Sequence, residues 1–313
     1  MDKPAILIVD DLHPIFKQRA EQLGYHVDDY PQFTLNDTLA NIGQYHGLVV
    51  RTKFRVDKQL IDAGKQLTFI ARAGSGMDNV DEDYARSKNI QCINAPEGNR
   101  DAVGEHALGM LLSLMNNLRK SDIEVRNGVW DREGNRGYEL KGKTVGIIGY
   151  GNNGQRIARK LQGFEVTVLA YDKYRVNYGD EYARQAGMDE IFEQADILSL
   201  HIPLTAESRY LVTEAYLQQF RKPIFFVNTA RGEIVNTQAI LQAIKSGKII
   251  AAALDVLETE KFPALKEQSW FNALVANNQV LLSPHIAGWT FDSYRKISEV
   301  LAEKLERLIA DGL

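Results

Sequence analysis

The sequence contains a single cysteine among its 313 residues, so no disulfide can form within the chain. This cysteine usage fits a reducing compartment, and we expect a cytoplasmic location. Long apolar runs are absent as well: the N-terminal stretch Ala5-Ile6-Leu7-Ile8-Val9 is too short for a signal peptide or a membrane span. The six histidines and the one cysteine show no metal-ligand spacing, so no metal site is expected.

An excess of charge of either sign is also absent. Lys and Arg number 37 against 41 Asp and Glu, which gives a net charge of −4. Such a balance provides no global field for binding nucleic acid or an anionic membrane. Apolar residues at 44% and charged residues at 25% exclude wholesale disorder. At about 150 residues per domain, the length predicts two domains.

Short apolar segments alternate with helical patterns along nearly the whole chain. This alternation predicts an α/β fold with parallel sheets, and the nearly continuous apolar character predicts strands buried on both faces. The predicted strands are Ile6–Val9, Leu48–Val50, Phe69–Ala71, Ile90–Ile93, Thr144–Gly149, Val166–Tyr171, Ile197–Leu200, Ile224–Asn228, Ala251–Asp255 and Val280–Ser283.

Two segments depart from this alternation. Residues 102–118 predict one long helix of small and apolar residues between the two sets of strands, and a polar loop, Arg126 to Gly142, follows it. The last segment, from Asp292 onward, is helical without a preceding strand, and we expect it to complete the first domain. The predicted domains are therefore residues 1–98 with 287–313, and residues 99–286.

A glycine-rich loop follows the predicted strand that begins at Thr144. It reads Gly149-Tyr150-Gly151-Asn152-Asn153-Gly154, which is a G-x-G-x-x-G motif. The motif lies between a predicted strand and a helical pattern, the context in which it indicates a dinucleotide-binding loop. Gly149 permits the tight turn, Gly151 lets the backbone approach a pyrophosphate, and Gly154 lets helix and strand pack closely. The helix N-terminus offers unpaired N–H groups to the phosphates. The loop predicts dinucleotide binding.

An acidic residue, Asp172, ends the next predicted strand. A carboxylate there would accept hydrogen bonds from the adenosine ribose hydroxyls and repel a 2′-phosphate, which favours NAD over NADP. Arg175, three residues later, could instead serve a 2′-phosphate. A plain surface carboxylate is the alternative interpretation of Asp172.

An arginine, Arg231, follows the predicted strand Ile224–Asn228. In open α/β sheets, ligands bind at the carboxyl ends of the strands. An arginine there suits bidentate capture of a carboxylate, and its charge polarises a neighbouring carbonyl oxygen. We interpret Arg231 as a candidate substrate-binding group.

A histidine and acidic side chains follow the next two strands. His285 lies just beyond Val280–Ser283, and Glu258 and Glu260 lie in the loop after Asp255. A carboxylate beside a histidine favours the imidazolium and fixes the ring, so the histidine could protonate a carbonyl. Acid/base chemistry at this edge is therefore predicted.

Further motifs occur in order along the chain: Arg72-Ala73-Gly74-Ser75-Gly76-Met77-Asp78-Asn79-Val80-Asp81, His201-Ile202-Pro203-Leu204-Thr205, Asn228-Thr229-Ala230-Arg231-Gly232, Ala253-Leu254-Asp255-Val256 and Ser283-Pro284-His285. With these motifs and the glycine loop, the sequence resembles the D-isomer-specific 2-hydroxyacid dehydrogenase family over essentially its whole length. The resemblance implies two Rossmann-like domains, a flavodoxin-like substrate domain and an NAD-binding domain. It also implies hydride transfer between a D-2-hydroxy acid and nicotinamide.

The resemblance also implies individual roles. Arg231 would bind the substrate carboxylate and carbonyl, His285 would donate and accept the proton, and Glu260 would pair with His285. The amides of Ala73, Gly74 and Ser75 match a loop that closes on the substrate carboxylate. The implied cofactor positions are Gly149, Gly151, Asn152, Asn153, Gly154, Asp172, His201, Pro203, Thr229, Ala230 and Asp255, the last beside the nicotinamide carboxamide.

The sequence departs from the family pattern at two places. The family commonly has Arg-Ile or a similar pair where this chain has Asn152-Asn153, so the helix start is expected to sit differently against the sheet. Lys261 stands where the family usually has proline after Glu260. That departure leaves Glu258 as the alternative partner of His285.

Three arginines indicate the substrate class. Arg51, Arg72 and Arg132 match positions that hold the substrate phosphate in phosphoglycerate dehydrogenases, and a phosphate needs several such donors. They predict oxidation of 3-phospho-D-glycerate to 3-phosphohydroxypyruvate, in serine biosynthesis, by a short form without the C-terminal regulatory domain. A glyoxylate or hydroxypyruvate reductase is the alternative, and a solvated basic strand end is the plainer interpretation of this charge.

A function of another class is an NAD-sensing corepressor that binds peptides. The three catalytic groups and the lack of a disordered tail favour an enzyme instead. The helix 102–118 and the loop after it, with Trp130, predict an apolar surface that forms a homodimer. Arg132 could then reach the site of the neighbouring subunit.

Overall fold

The computed structural model describes residues 3–312. The chain divides into two compact units. Unit 1 runs up to Arg100 and resumes at Trp289, and unit 2 comprises Asp101–Gly288. No helix in the described range is long and apolar enough to cross a membrane.

Strands and helices alternate through both units. Between residues 3 and 312 the strands are β1 (Ala5–Ile8), β2 (His26–Asp29), β3 (Gly47–Val50), β4 (Phe69–Arg72), β5 (Gln91–Asn94), β6 (Thr144–Ile148), β7 (Thr167–Tyr171), β8 (Arg184–Gln185), β9 (Ile197–Leu200), β10 (Ile224–Asn228), β11 (Ile249–Leu254) and β12 (Val280–Leu282). The helices are α1 (Ile15–Gln22), α2 (Leu35–Asn41), α3 (Lys58–Ala63), α4 (Glu82–Ser87), α5 (Pro96–Met115), α6 (Leu118–Arg126), α7 (Asn152–Lys160), α8 (Met188–Gln194), α9 (Glu214–Gln218), α10 (Thr237–Lys245), α11 (Phe271–Val275) and α12 (Phe291–Ala310).

Unit 1 is built on the sheet β2-β1-β3-β4-β5, in which every pair of neighbours is parallel. This is the flavodoxin-like order, whose direction reverses between β1 and β3. Helix α12 covers the sheet, because Ile297, Leu301 and Leu305 are buried in the same core as Phe69 of β4. The C-terminal helix therefore belongs to the first unit.

Unit 2 is built on the sheet β12-β11-β10-β9-β6-β7-β8, and its strands are also all parallel. The order reverses at β6, between β7 and β9, and such a switch point opens a crevice at the carboxyl ends of the strands. The prediction of an α/β fold with two parallel sheets is confirmed.

Three local predictions were wrong. Residues 102–118 do not form one helix: α5 ends at Met115, Asn117 adopts a left-handed φ of 52°, and α6 follows. Strands β2 and β8 were not predicted, since β2 reads His-Val-Asp-Asp and β8 has only two residues. Much of the apolar side of α5 lies in the core of unit 2, including Ala107, Leu111 and Met115, so it is not surface.

Candidate active site

The glycine loop of unit 2 joins β6 to α7 through three residues, Gly149 to Gly151. Gly149 has φ 92°, and a Cβ there would lie 2.6 Å from the carbonyl oxygen of His201. A Cβ on Gly154 would lie 2.0 Å from the carbonyl oxygen of Gly149. Both positions therefore require glycine for the chain's own packing.

Gly151 is different, because a Cβ at this position would meet nothing within 4 Å among the described residues. The packing of the chain itself does not require glycine at this position. A ligand that approaches the backbone closely would require it. Helix α7 begins at Asn152, directly after Gly151. The side-chain oxygen of Asn153 is buried and has no hydrogen-bond partner within residues 3–312.

A pocket of about 320 Å³ adjoins the glycine loop. Its lining comes from the carboxyl ends of β6, β7 and β9, with α9 at one side. The lining includes the predicted cofactor residues Gly149, Gly151, Asp172, His201 and Pro203, and also Tyr216, which was not predicted.

The carboxylate of Asp172 is fixed by main-chain amides. Its Oδ2 accepts the N–H of Tyr150 at 2.9 Å, and its Oδ1 accepts the N–H groups of Tyr174 at 3.0 Å and Arg175 at 3.2 Å. The guanidinium of Arg175 donates to the carbonyl oxygen of Tyr150. Asp172 therefore ties the end of β7 to the glycine loop, with a negative charge at the pocket.

His201 is neutral at neutral pH, because burial lowers its pKa to about 4. Its Nε2 lies 2.8 Å from the hydroxyl of Ser199, while its Nδ1 is buried without a partner among the described residues. The hydroxyls of Tyr216 and Thr229 are likewise buried and unpartnered in the part of the chain that the structure describes. Buried polar atoms cost free energy unless they are hydrogen-bonded, so these three fit a polar ligand.

Arg231 lies in a turn that the side chain of Asn228 holds. Asn228, at the end of β10, accepts the N–H of Ala230 at 3.0 Å and donates to the carbonyl oxygen of Arg231 at 3.0 Å. A Cβ on Gly232 would lie 1.9 Å from the backbone of Leu257. The loops after β10 and β11 therefore pack together.

Glu260 and His285 form a pair. Oε2 of Glu260 lies 2.8 Å from Nδ1 of His285, and both side chains are partly exposed. Glu258, the alternative partner, instead accepts the N–H of Thr237 at 2.7 Å, at the start of α10. With Glu260 as acceptor at Nδ1, Nε2 is the ring atom left for proton transfer.

Asp255 is 1% exposed and follows β11 directly. Its carboxylate accepts the hydroxyl of Ser283 at 2.5 Å and the N–H groups of Ile286 at 3.0 Å and Ala287 at 2.9 Å. Burial would raise the pKa of this carboxyl, but hydrogen bonds from His106, Ser283 and the two amides outweigh burial and hold the pKa at about 2. Asp255 is thus a buried anion satisfied by its own chain.

In unit 1 the predicted carboxylate loop follows β4. The N–H of Ala73 donates to the carbonyl oxygen of Val50 at 2.8 Å, and that of Gly74 donates to the carbonyl oxygen of Arg72 at 2.9 Å. Two of the three amides that the resemblance assigns to the substrate carboxylate are therefore hydrogen-bonded within the chain, and their role stays a prediction. Of these three amides, the N–H of Ser75 is the one that has no main-chain acceptor among the described residues.

Arg51 follows β3, beside the end of β4, where Val50 pairs with Arg72. Its guanidinium stacks on the ring of Trp289, 3.4 Å from the ring centroid. Burial lowers the pKa of Arg51, whereas the carboxylates of Asp10 and Asp11 act in the opposite direction. Arg51 and Arg72 therefore occupy adjacent strand ends of unit 1, whereas Arg132 is an exposed residue of unit 2.

The main-chain N–H groups that begin at Arg51 bind the carboxylate of Asp10. Oδ2 of Asp10 accepts three consecutive N–H groups, from Arg51 at 2.8 Å, Thr52 at 2.9 Å and Lys53 at 3.1 Å. Consecutive amides of this kind form an anion-binding concavity. Here the chain's own Asp10 fills it, so an external anion at this strand end would depend on side chains.

Sequence reasoning missed several residues of these sites, namely Asn228 as a clamp, Trp289, Tyr216, Ser283 and His106. Ser283 and Trp289 lie within four residues of His285, so their proximity to a strand end was a usable signal. His106 and Tyr216 lie on helices and reach the sites only through tertiary packing. Within residues 3–312 no group of three or more His, Cys, Asp or Glu side chains could hold a metal ion.

Comparison with known proteins adds to this geometry. Residues 108–287 match the family model described as D-isomer specific 2-hydroxyacid dehydrogenase, NAD binding domain. Hydroxypyruvate reductase of Thermotoga maritima is 35% identical over 260 residues, which cover 82% of this chain and 83% of that protein. The crystal structure of a glyoxylate reductase from Paecilomyes thermophila has a TM-score of 0.86 at 26% identity, covering 100% of this chain and 97% of that one.

A phosphorylated-substrate enzyme is similarly close in sequence. D-3-phosphoglycerate dehydrogenase of Archaeoglobus fulgidus is 34% identical over 295 residues, or 93% of this chain. The match spans 54% of that enzyme, so this chain corresponds to about half of its length. The relatives therefore include both substrate classes.

The two glycines predict separable effects on stability and binding. Gly154→Ala should lower the thermal unfolding temperature, since overpacking against Gly149 typically costs about 1–3 kcal/mol. Gly151→Ala should leave unfolding unchanged and weaken NADH binding at least about tenfold, because its methyl group would enter the approach path of the pyrophosphate. Thermal melts and NADH fluorescence titration measure both, and unaltered NADH affinity in Gly151→Ala would contradict the prediction.

Proposed function

Since this chain belongs to the D-isomer-specific 2-hydroxyacid dehydrogenase family and carries its NAD-binding domain, we propose that unit 2 performs the chemistry with Arg231, Glu260 and His285. The pairing of Glu260 with His285 at 2.8 Å is the observation that carries the proposal. Unit 2 would be the cofactor domain and unit 1 the substrate domain.

The residues of the pocket fit NAD. Gly151 leaves room beside the helix N-terminus of α7 for a pyrophosphate, and Asp172 supplies the acceptor for ribose hydroxyls. The unpartnered hydroxyls of Tyr216 and Thr229 supply donors. When bound, NAD exchanges a hydride with the substrate carbon that carries the hydroxyl or oxo group.

The protein's own side chains handle the carboxylate and the proton. Arg231 would hold the substrate carboxylate through paired N–H donors and polarise the carbonyl oxygen. His285, oriented by Glu260 at Nδ1, would give the Nε2 proton to that oxygen during reduction and take it back during oxidation. The pair thus serves both directions of the reaction.

The proton-transfer assignment predicts a large loss in one variant. His285→Gln should lower kcat by about 10²–10⁴-fold, because it removes the proton donor. Glu260→Gln should cause a smaller loss, and NADH affinity should persist in both. His26→Gln, at an exposed histidine of unit 1, is the control. Steady-state assays with a 2-oxo acid measure kcat for each variant. A His285→Gln variant with the kcat of the parent would overturn the proposal.

For the substrate we propose 3-phospho-D-glycerate, oxidised to 3-phosphohydroxypyruvate on the way to serine. Arg51 and Arg72 at adjacent strand ends of unit 1 support it, because paired guanidinium groups suit a phosphate. The similarity to phosphoglycerate dehydrogenase is consistent with this substrate.

A specific observation favours a second candidate, reduction of glyoxylate or hydroxypyruvate. Asp10 fills the amide concavity at residues 51–53 and, with Asp11, places negative charge beside Arg51. Such carboxylates compete with a phosphate for the same guanidinium. A small unphosphorylated acid avoids that competition, in keeping with the hydroxypyruvate reductase relative.

Arg51 distinguishes the two substrates. If phosphate binds there, Arg51→Ala should lower kcat/KM for 3-phosphohydroxypyruvate by about tenfold or more and leave hydroxypyruvate unaffected, since a hydrogen bond to a charged group contributes about 1.5–3 kcal/mol. Lys53→Ala, two residues away and exposed, is the matched control. Parent protein that turns over hydroxypyruvate faster than its phosphorylated form would establish the second candidate instead.

We also propose a homodimer. Helix α6 and the loop after it expose several large apolar side chains: Leu118, Ile123, Val125, Val129, Trp130 and Tyr138. Trp130 is 79% exposed, and patches of this kind commonly mark protein–protein interfaces. A second copy of the chain would cover the patch.

The dimer proposal predicts a solution mass of twice the 35.2 kDa of one chain. Trp130→Glu should shift the protein toward monomer at micromolar concentration, because it places a charge in an apolar interface. Val176→Glu, at an equally exposed residue outside the patch, should not. Sedimentation analysis measures the mass, and a parent protein that sediments as a monomer would rule the homodimer out.

A further inference from the structure

A chain of hydrogen bonds runs from α5 to the end of β11 inside unit 2. Nε2 of His106 lies 3.0 Å from Oγ of Ser283, and Oγ of Ser283 lies 2.5 Å from Oδ1 of Asp255. The hydroxyl of Ser283 has one proton, and the short contact with a carboxylate directs that proton to Asp255. Its oxygen therefore accepts from His106, so Nε2 of His106 carries a hydrogen.

Asp255 holds the backbone on both sides of His285. Its main-chain oxygen accepts the N–H of His285 at 2.7 Å, and its carboxylate accepts the N–H groups of Ile286 and Ala287. His285 itself has φ 55°, a left-handed conformation that residues other than glycine seldom adopt. Such a conformation persists where surrounding contacts determine it, and here those contacts converge on Asp255.

We propose that His106 and Ser283 are positioning residues that act through Asp255 to hold the His285 backbone in place for proton transfer. This inference depends on the proposed function only in giving His285 that task. It is additional to the role that the resemblance implies for Asp255 beside the cofactor, because it concerns the donors that the carboxylate accepts from the protein itself: Ser283 and Ile286 at Oδ1 and Ala287 at Oδ2.

The same three residue types form nucleophilic triads in hydrolases, but their order differs here. In a triad the histidine stands between serine and aspartate and accepts the serine proton. In this chain the hydroxyl of Ser283 gives its proton to Asp255, and Nε2 of His106 lies 3.0 Å from that hydroxyl oxygen and 3.4 Å from Oδ1 of Asp255. Ser283 is therefore not an activated nucleophile, and the arrangement serves to fix the carboxylate.

The first test needs neither cofactor nor substrate. Hydrogen exchange of the amides of His285, Ile286 and Ala287 is measured in the whole protein, for the parent and for Ser283→Ala and His106→Leu. Each variant should exchange these amides about tenfold faster, because the carboxylate loses one of its supports. If exchange is unchanged at all three amides in folded variants, the proposal is overturned. The two variants remove different members of the hydrogen-bonded group, so one can still be used if the other does not fold.

The second test is the kinetic signature. Both variants should lower kcat about tenfold while KM for the oxo acid and the dissociation constant of NADH change less than about twofold. The double variant should be no slower than the slower single variant, because the two residues act through the same set of hydrogen bonds to Asp255. Ser283→Thr and His106→Gln, which keep the hydroxyl and a donor, should recover part of the loss, and His26→Gln should be without effect.

The outcomes separate this inference from the proposed function. If the variants bind NADH more weakly but keep the kcat of the parent, the hydrogen bonds among His106, Ser283 and Asp255 serve cofactor binding, and the positioning role is refuted. If His285→Gln kept full activity, the proton-transfer assignment would fail, yet the exchange experiment would still decide whether the chain holds the His285 backbone.

Discussion

The parallel direction of all strands in unit 2 is the constraint from which its candidate site follows. Parallel strands end at one edge of the sheet, so whatever follows each strand is delivered to that edge. Six functional candidates of this unit stand within a few residues of such an end, after β6, β7, β9, β10, β11 and β12 in turn: Gly151, Asp172, His201, Arg231, Asp255 and His285. Short turns then decide where each side chain lies.

Three aspartates fix those turns in the same manner. Asp10, Asp172 and Asp255 each follow a strand, and each accepts main-chain N–H groups from a loop at a neighbouring strand or turn. A hydrogen bond to a carboxylate contributes about 1.5–3 kcal/mol, and the gain here offsets the cost of placing charge away from water. The loops are thereby ordered before any ligand binds, which lowers the entropy cost of binding.

The sequence predicted the features that depend on local pattern. Apolar runs indicated ten of the strands among the described residues, and the glycine loop indicated the turn between β6 and α7. The pattern failed where burial is partial, as in β2, whose only buried side chain is Val27. It also failed at Asn117, where a left-handed residue separates α5 from α6.

Contacts between distant residues were beyond such reasoning. The resemblance paired Glu260 with His285, but periodicity alone could not choose between Glu258 and Glu260, since the choice depends on the start of α10. The stacking of Arg51 on Trp289 joins residues from opposite ends of the chain. No local signal relates such positions.

The division of unit 1 into two chain segments has a consequence for biosynthesis. The sheet of unit 1 is translated before unit 2, whereas α12, which buries Ile297, Leu301 and Leu305 against that sheet, is translated after unit 2. Unit 2 is continuous and is completed earlier than its partner. On the ribosome, unit 2 can therefore fold first, while one face of the older sheet stays uncovered until the final helix emerges.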